Sequence, residues 1–283
     1  VATEHTTYNS KLPLRTYGTA EINIIPIVKP LTKYAKFLDN QNDVQYVLEK
    51  AYHAAMSGRP GPVWIDVPMD IQNSIIEIDK LRSYNPPNNK LTIQSDDLDF
   101  ILKKINSAKK PLIVAGQGVR QGKAEDQFKK FLNNFKIPVL FSRLGQDLLP
   151  HNHPYVYGQA GLKGSKYCKK IMNSSDLVLS LGCRLSPQLV GHDFTAFKNA
   201  KIIAVDVEKD ELIKKGQKIN LPINCDLSLF FKKILKFLKK TKLPNYTDWI
   251  SYCNKLKKNK PIIKNKIQKN PMDLYYFMHE LGE

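Results

Sequence analysis

The stretch PLIVAGQGVRQG, residues 111–122, decides the fold class of this chain. Its first five residues carry no charge and no polar alternation, which predicts a strand buried on both faces. Gly116, Gly118 and Gly122 follow, and an amphipathic helical pattern begins directly after them. A buried strand that runs through a glycine loop into a helix is typical of α/β proteins with a parallel sheet.

The same alternation of strand and helix continues along the chain. Apolar runs predict further strands at 137–141, 177–181 and 202–207, and amphipathic segments predict the helices between them. One such helix places Phe128, Phe131, Leu132 and Phe135 on a single face. We therefore predict an α/β fold whose central, doubly wound and mostly parallel sheet spans residues 95–240.

Composition suggests where the domains end. Residues 1–78 hold part of a second α/β domain, and the Pro/Asn-rich run YNPPNNK lies in a predicted linker at 79–94. A Lys-rich segment predicts a basic linker at 241–268. Residues 269–283 then begin a helix whose apolar stripe has no partner in the sequence, so we expect the chain to be a fragment of a longer protein. The stripe consists of Leu274, Phe277, Met278 and Leu281.

The net charge of +18 is concentrated near the end of the chain. Residues 229–270 contain thirteen lysines and one acid, Asp248. Such a run can bind nucleic acid or anionic lipid. These lysines stand among Asn and Ile, however, and the run contains no arginine to interleave with aromatic residues. No apolar stretch of the sequence is long enough to span a bilayer. We expect neither a nucleic acid nor a membrane as partner.

The four cysteines are widely spaced and form no C-x-x-C pair. This spacing argues against a zinc site and a disulfide framework, and it favours a reducing cytoplasm. His151 and His153 lie between two prolines, so we interpret them as part of a loop and expect no metal site. Motifs of hydrolases and of nucleoside triphosphatases are absent from the sequence.

The glycine loop is the best candidate for binding a small molecule. Glycines after a strand let backbone N–H groups approach a phosphate at a helix N-terminus, although Gly122 comes one residue late for G-x-G-x-x-G. Gly182 and Arg184 follow another predicted strand, and Asp206 ends a third. Because parallel strands place their carboxyl ends at one edge, we predict a nucleotide-sized pocket there.

Some of these residues have simpler interpretations. Asp226 precedes the last helix of the sheet domain and is well placed to be its N-cap. Arg184 is equally compatible with a surface ion pair. The run from Tyr157 to Gly161 predicts a mobile turn. The residues by themselves therefore indicate a pocket but no catalytic group.

The string SGRPGPVWIDVPMDIQ, residues 57–72, predicts the end of a helix, a rigid corner and a short strand. A helix after Asn42 is closed by Gly58, and Pro60 and Pro62 fix the corner that leads into a strand ending at Asp66. The whole string closely resembles the junction that ends the first domain of thiamine-diphosphate enzymes of the acetolactate synthase type.

Further segments resemble the acetolactate synthase large subunit in the same order. They are RTYGTAE at 15–21, VKPLTKY at 28–34, the glycine loop, GCR at 182–184, AVDV at 204–207 and NPM at 270–272. The resemblance implies the end of a pyrimidine-binding domain, a complete Rossmann-like (DHS-like) central domain and the start of a diphosphate-binding domain. It also implies that thiamine diphosphate and Mg²⁺ bind outside this chain, which contains no Gly-Asp-Gly motif and would supply no catalytic residue.

Flavin-containing members of that family hold FAD across the central sheet. The resemblance places ten residues of this chain near the flavin nucleotide: Arg59, Gly116, Gly118, Ser142, Gly158, Gln159, Gly182, Arg184, Asp206 and Asp226. Ala20, Met69 and Gln188 depart from the family pattern at the substrate end and at the flavin site. The resemblance therefore supports the fold more strongly than it supports acceptor specificity or FAD binding.

The function implied is that of a cytoplasmic transferase. It would decarboxylate pyruvate and transfer the two-carbon unit to a second 2-keto acid, in branched-chain amino acid biosynthesis. We expect a homodimer or homotetramer, with a regulatory subunit as a further candidate partner. One alternative is a related enzyme that adds the two-carbon unit to a keto-sugar nucleotide in polysaccharide biosynthesis. Another is a stand-alone nucleotide-binding module with a basic tail.

Overall fold

The computed structural model describes residues 22–88, 91–238, 243–259 and 274–282. The chain divides into two compact units, Val1–Lys90 and Leu91–Glu283. The segments 15–21 and 270–272, which carry part of the family resemblance, lie outside the described residues.

The first unit is built on a pair of parallel strands joined through a helix. Tyr34 pairs with Val63 and Phe37 with Asp66. The connecting helix buries Val47 and Ala51, and Gly58, with φ +58°, follows its end as expected. The elements are β1 (Tyr34–Phe37), β2 (Val63–Asp66), α1 (Ile25–Val28), α2 (Val44–Met56) and α3 (Met69–Gln72), with 3₁₀ turns at Lys29–Leu31, Gln41–Asp43 and Ile78–Lys80.

The second unit contains a six-stranded sheet in which every neighbouring pair is parallel. The spatial order is β5-β4-β3-β6-β7-β8. This arrangement confirms the predicted α/β fold with a mostly parallel, doubly wound sheet. The strands are β3 (Pro111–Ala115), β4 (Val139–Phe141), β5 (Val156–Gln159), β6 (Leu177–Leu181), β7 (Lys201–Asp206) and β8 (Leu221–Asn224).

Helices cover the sheet with the apolar faces that the sequence predicts. Phe131 of one helix packs on Phe231 of another with ring centroids 5.3 Å apart, and both side chains are fully buried. These helices are α4 (Ser95–Ser107), α5 (Gly118–Gln121), α6 (Glu125–Phe135), α7 (Lys166–Ser174), α8 (Pro187–Val190), α9 (Lys209–Ile213), α10 (Leu227–Leu238) and α11 (Thr247–Asn259). A further helix, α12 (Leu274–Gly282), leaves its predicted apolar stripe of Leu274, Phe277, Met278 and Leu281 exposed.

In the six-stranded sheet two strands differ from the sequence prediction, and β1 of the first unit was not predicted either. The run that begins at Tyr157 is not a mobile turn, since Val156–Gln159 forms β5 and pairs with β4. The pairing shifts register between Val139 and Leu140, and Gly158 takes φ +109° at this irregularity. Strand β8, which contains Pro222, was not predicted and forms the opposite edge of the sheet, where a proline is tolerated.

Part of the predicted basic linker is a packed helix, α11. Its Trp249 and Cys253 are buried, and the Trp249 indole Nε1 donates to the Pro111 carbonyl oxygen at 2.8 Å. Just before the helix, the Tyr246 hydroxyl donates to the Ile105 carbonyl oxygen at 2.6 Å. Residues 243–259 therefore complete the core of the second unit. Within the described residues, no helix is long and apolar enough to cross a membrane.

Candidate nucleotide-binding site

The strand order reverses between β3 and β6. From β3 the chain proceeds outward through β4 and β5 on one side, and from β6 through β7 and β8 on the other. The loops that leave β3 and β6 therefore diverge at the carboxyl edge, which is where open α/β sheets bind their ligands. Gly116 follows β3 and Gly182 follows β6, so the predicted glycines stand at this point.

These glycines allow the backbones of the two loops to touch. A Cβ on Gly116 would lie 2.2 Å from the Gly182 carbonyl oxygen, and a Cβ on Gly118 would lie 2.6 Å from the Gly182 Cα. Gly182 also has φ +55°, a conformation that favours glycine. No larger residue fits at these three positions without a backbone shift.

The amides of two glycines are already used inside the protein. The Gly116 N–H donates to the Leu181 carbonyl oxygen at 3.0 Å, and the Gly118 N–H donates to the Gly182 carbonyl oxygen at 3.0 Å. These two amides are therefore engaged within the protein, while the approach of other loop N–H groups to a phosphate stays a prediction. The hydrogen bond from Gly118 to Gly182 joins the two loops, and side chains at the same edge are further candidates for contacts to an anion.

Arg184 is an exposed cation at this edge. Its Nε forms an ion pair with Glu211 Oε1, and its side chain is 60% exposed. Lys214 Nζ binds the other carboxylate oxygen of Glu211 at 2.5 Å and the Arg184 carbonyl oxygen at 3.3 Å. The ion-pair interpretation of Arg184 is thus correct, and the exposed guanidinium can still contact a solute.

A buried thiol lies behind this cluster. The pKa of Cys183 is raised to about 12, chiefly by burial and then by the nearby Asp206 carboxylate, while Lys214 and a hydrogen bond with Ser142 act in the opposite direction. Ser142 follows β4 and donates its N–H to the Ala115 carbonyl oxygen at 2.9 Å. Cys183 is therefore protonated at neutral pH and is unsuited to be a nucleophile.

Two carboxylates end the strands on the other side of the reversal. Asp206 closes β7, and its Oδ1 accepts the Glu208 N–H at 2.9 Å. Asp226 Oδ1 accepts the N–H groups of Ser228 and Leu229 at 2.8 and 3.2 Å. Asp226 therefore caps α10, as its simpler interpretation predicts.

Nine of the ten predicted residues belong to the second unit, at or next to the carboxyl ends of its strands. Gly158 and Gln159 end β5, where Gln159 pairs with Phe141. Arg59 belongs to the first unit, and its carbonyl oxygen accepts Lys33 Nζ at 2.8 Å. The structure thus brings nine residues to one edge, while their contact with a cofactor stays a prediction.

The sequence analysis missed Glu211, which organises the cations of this edge. The sequence carried a signal for Glu211. It lies shortly after Asp206, which ends a predicted strand, and it precedes Lys214 by three residues, the spacing of neighbours on a helix. Among the described residues, no group of three His, Cys, Asp or Glu side chains is placed to hold a metal ion.

Comparison with known proteins identifies the second unit. Residues 98–234 match the family described as "Thiamine pyrophosphate enzyme, central domain". This range covers the sheet from α4 to α10 and contains all nine residues at the carboxyl edge. Residues 98–234 therefore belong to the family of central domains of thiamine pyrophosphate enzymes.

Within that family, the chain is similar to acetolactate synthase large subunits. A probable large subunit from Methanococcus aeolicus is 32% identical over 84% of this chain and 42% of its own length. The large subunit of Lactococcus lactis is 31% identical over 85% of this chain and 42% of its own length. That of Corynebacterium glutamicum is 30% identical over 88% and 40%. The chain spans about two fifths of the length of these relatives.

Proposed function

We propose that this chain is part of an acetolactate synthase. The complete enzyme would decarboxylate pyruvate and transfer the two-carbon unit to a second 2-keto acid, for branched-chain amino acid biosynthesis. The observation that carries the proposal is the similarity to acetolactate synthase large subunits over more than four fifths of the chain. Thiamine diphosphate would supply the carbanion stabilisation that the reaction needs.

The second unit would contribute a binding site for an adenine nucleotide, with FAD as the proposed occupant. The glycines let the loops after β3 and β6 pack on each other at the strand reversal, which is where open α/β sheets bind their ligands. Arg184 and Ser142 offer side-chain donors to a diphosphate, and Asp206 offers a carboxylate to a ribose hydroxyl. Mg²⁺ and thiamine diphosphate would bind outside this chain.

The remaining assignments follow from the same proposal. The substrates would be small 2-keto acids, and the enzyme would be a cytoplasmic homodimer or homotetramer with a regulatory subunit as a candidate partner. The four cysteines are buried free thiols, which suits a reducing compartment.

The direct test is acetolactate formation by the full-length protein. It is incubated with pyruvate, thiamine diphosphate and Mg²⁺, and acetolactate is measured against a reaction without thiamine diphosphate. We expect product only in the complete mixture. Pyruvate consumption that yields product only when a keto-sugar nucleotide is added would instead identify a related transferase and overturn the proposal.

The flavin is tested separately by the visible spectrum of the purified full-length protein before and after incubation with FAD and gel filtration. We expect flavin absorbance to co-elute with the protein. A protein that remains colourless yet forms acetolactate would remove FAD from the proposal and leave the carboligase intact.

A further inference from the structure

Arg184 is held by a residue on a different element. Glu211 lies in α9, after β7, whereas Arg184 lies in the loop after β6. The two elements are adjacent because β6 and β7 pair along their whole length, from Leu177 with Lys201 to Leu181 with Val205. The Arg184–Glu211 contact therefore bridges two strand ends beside the reversal.

The exposures within the ion pair are unequal. The Glu211 side chain is 9% exposed, whereas that of Arg184 is 60% exposed. The carboxylate is thus fixed in the protein and the guanidinium reaches out from it. An arginine side chain has large rotamer freedom, and a contact to Nε removes much of it while the rest of the guanidinium stays accessible.

Lys214 fixes the carboxylate in turn. Its ammonium binds Glu211 Oε2 at 2.5 Å, and the Lys214 side chain is 33% exposed. Burial alone would raise the pKa of Glu211, but the hydrogen bond and charge of Lys214 and the charge of Arg184 outweigh it, so the pKa lies below its usual range. Glu211 is therefore ionised at neutral pH and accepts from both cations.

We propose that Glu211 is a positioning residue, whose carboxylate orients the Arg184 guanidinium toward a phosphate group of a nucleotide at the carboxyl edge. This inference rests on the nucleotide site proposed above and assigns a role to a residue outside the ten predicted ones. Glu211 itself does not contact the ligand. Its effect on binding passes entirely through Arg184.

A simple charge argument gives the opposite expectation. If Glu211 only neutralised Arg184, removing the carboxylate would leave a freer cation and strengthen anion binding. If it positions Arg184, removing the acceptor lets the guanidinium swing away and weakens binding. The sign of one substitution therefore separates the two roles.

The experiment measures binding of FAD and of ADP to the full-length protein by titration calorimetry. Glu211→Ala removes the acceptor, and Glu211→Gln removes the charge but keeps an oxygen for Arg184. We expect Glu211→Ala to weaken binding about tenfold and Glu211→Gln to stay within about threefold of the natural protein, as loss of one oriented charged contact predicts.

A double-mutant cycle tests whether Glu211 acts through Arg184. Once Arg184→Gln has weakened binding, adding Glu211→Ala should change it by less than about twofold, because residues that act as one unit are not additive. A purely structural role would instead add its full effect in both backgrounds. If Glu211→Ala is too unstable to assay, Glu211→Asp replaces it, with an expected loss of about threefold from retraction of the carboxylate.

The outcomes separate this proposal from the one on which it rests. Unchanged or tighter binding by Glu211→Ala, in a protein that binds FAD or ADP, overturns the positioning role alone. A natural protein that binds neither compound overturns the nucleotide site and the positioning role together. Weaker binding by Glu211→Ala that vanishes in the Arg184→Gln background supports both.

Discussion

The sheets of the two units are buried to very different extents. Every residue of β3 and β6 is buried in the second unit. In the first unit, no residue of β1 is fully buried, and only Asp66 of β2 is. A two-stranded sheet has little stability of its own, whereas a central strand covered on both faces holds its unit together. The same substitution should therefore have a much larger effect in the second unit than in the first.

The largest expected difference concerns a core phenylalanine. Phe131→Ala in α6 should lower the free energy of unfolding of the second unit by about 3–5 kcal/mol, because the side chain is fully buried among other rings. Phe37→Ala in β1 should lower that of the first unit by only about 1 kcal/mol, since Phe37 is half-buried.

The two tryptophans allow each unit to be followed separately in urea. Trp249 is buried in the second unit and Trp64 lies in β2 of the first. With Trp64 replaced by Phe, fluorescence reports on the second unit, and with Trp249 replaced by Phe it reports on the first. Equal losses for the two alanine variants would contradict the comparison of the units.

Two glycines with almost the same backbone conformation form a matched pair. Gly182 has φ +55° and Gly58 has φ +58°. A Cβ on Gly182 would lie 2.7 Å from the Gly118 Cα, whereas a Cβ on Gly58 has nothing within 4 Å. Gly58→Ala should therefore lower the free energy of unfolding only by the cost of holding alanine at positive φ, about 1 kcal/mol. Gly182→Ala should lower it by about 2–4 kcal/mol, because the Cβ also meets the other loop, and it should abolish FAD binding.

The same urea titrations measure both glycine variants, and flavin fluorescence follows FAD. If Gly182→Ala were no more damaging than Gly58→Ala, the close contact of the two loops at the strand reversal would be refuted.

Helix and turn caps should show a smaller contrast. Asp226 accepts two backbone N–H groups at the start of the twelve-residue α10, whereas Asn40 accepts one, from Asn42 at 3.0 Å, before a short 3₁₀ turn. Asp226→Ala should lower stability by about 1 kcal/mol and Asn40→Ala by a few tenths. Asp226→Asn, which keeps a capping oxygen, is the control and should unfold close to the natural protein.

The smallest effect is the pH dependence of the Glu211 ion pairs. The pKa of Glu211 in the folded protein lies below its usual value of 4.5, so folding is favoured by this group above that pH. As the pH falls from 4.5 through the lower folded pKa, the contribution is lost. The stability difference between the natural protein and Glu211→Gln should therefore be constant near neutrality and shrink in this acidic window. A difference that grows on acidification would contradict the assignment of a lowered pKa to Glu211 in the folded protein.

Sequence patterns were sufficient for the elements whose burial is regular. Pro111–Ala115 is an uninterrupted apolar run, Leu177–Leu181 is interrupted only by Ser180, and both are strands as predicted. Strand β8 was missed because Leu221 and Asn224 are only partly buried and Pro222 is exposed, so it carries no strand pattern. Helix α11 was missed because its lysines mask Trp249 and Cys253, whose spacing of four residues marked a buried face.

The candidate site was predicted in its position but not in its contacts. The strand ends that carry Gly116, Gly182 and Asp206 could be predicted from the sequence, since a parallel sheet brings its carboxyl ends together. The hydrogen bonds of the glycine amides and the pairing of Arg184 with Glu211 depend on which strands are neighbours. That order is a tertiary property, with no local signal in the sequence.

Hydrogen exchange of the full-length protein with and without FAD tests the central claim most directly. That claim is that the second unit binds a nucleotide where the strand order reverses. We expect FAD to slow amide exchange in the loops at 116–122 and 182–186, and to leave unchanged the loops at 108–110 and 198–200, which precede β3 and β7 at the opposite edge. Protection confined to that opposite edge, or none at either edge despite bound FAD, would contradict the account.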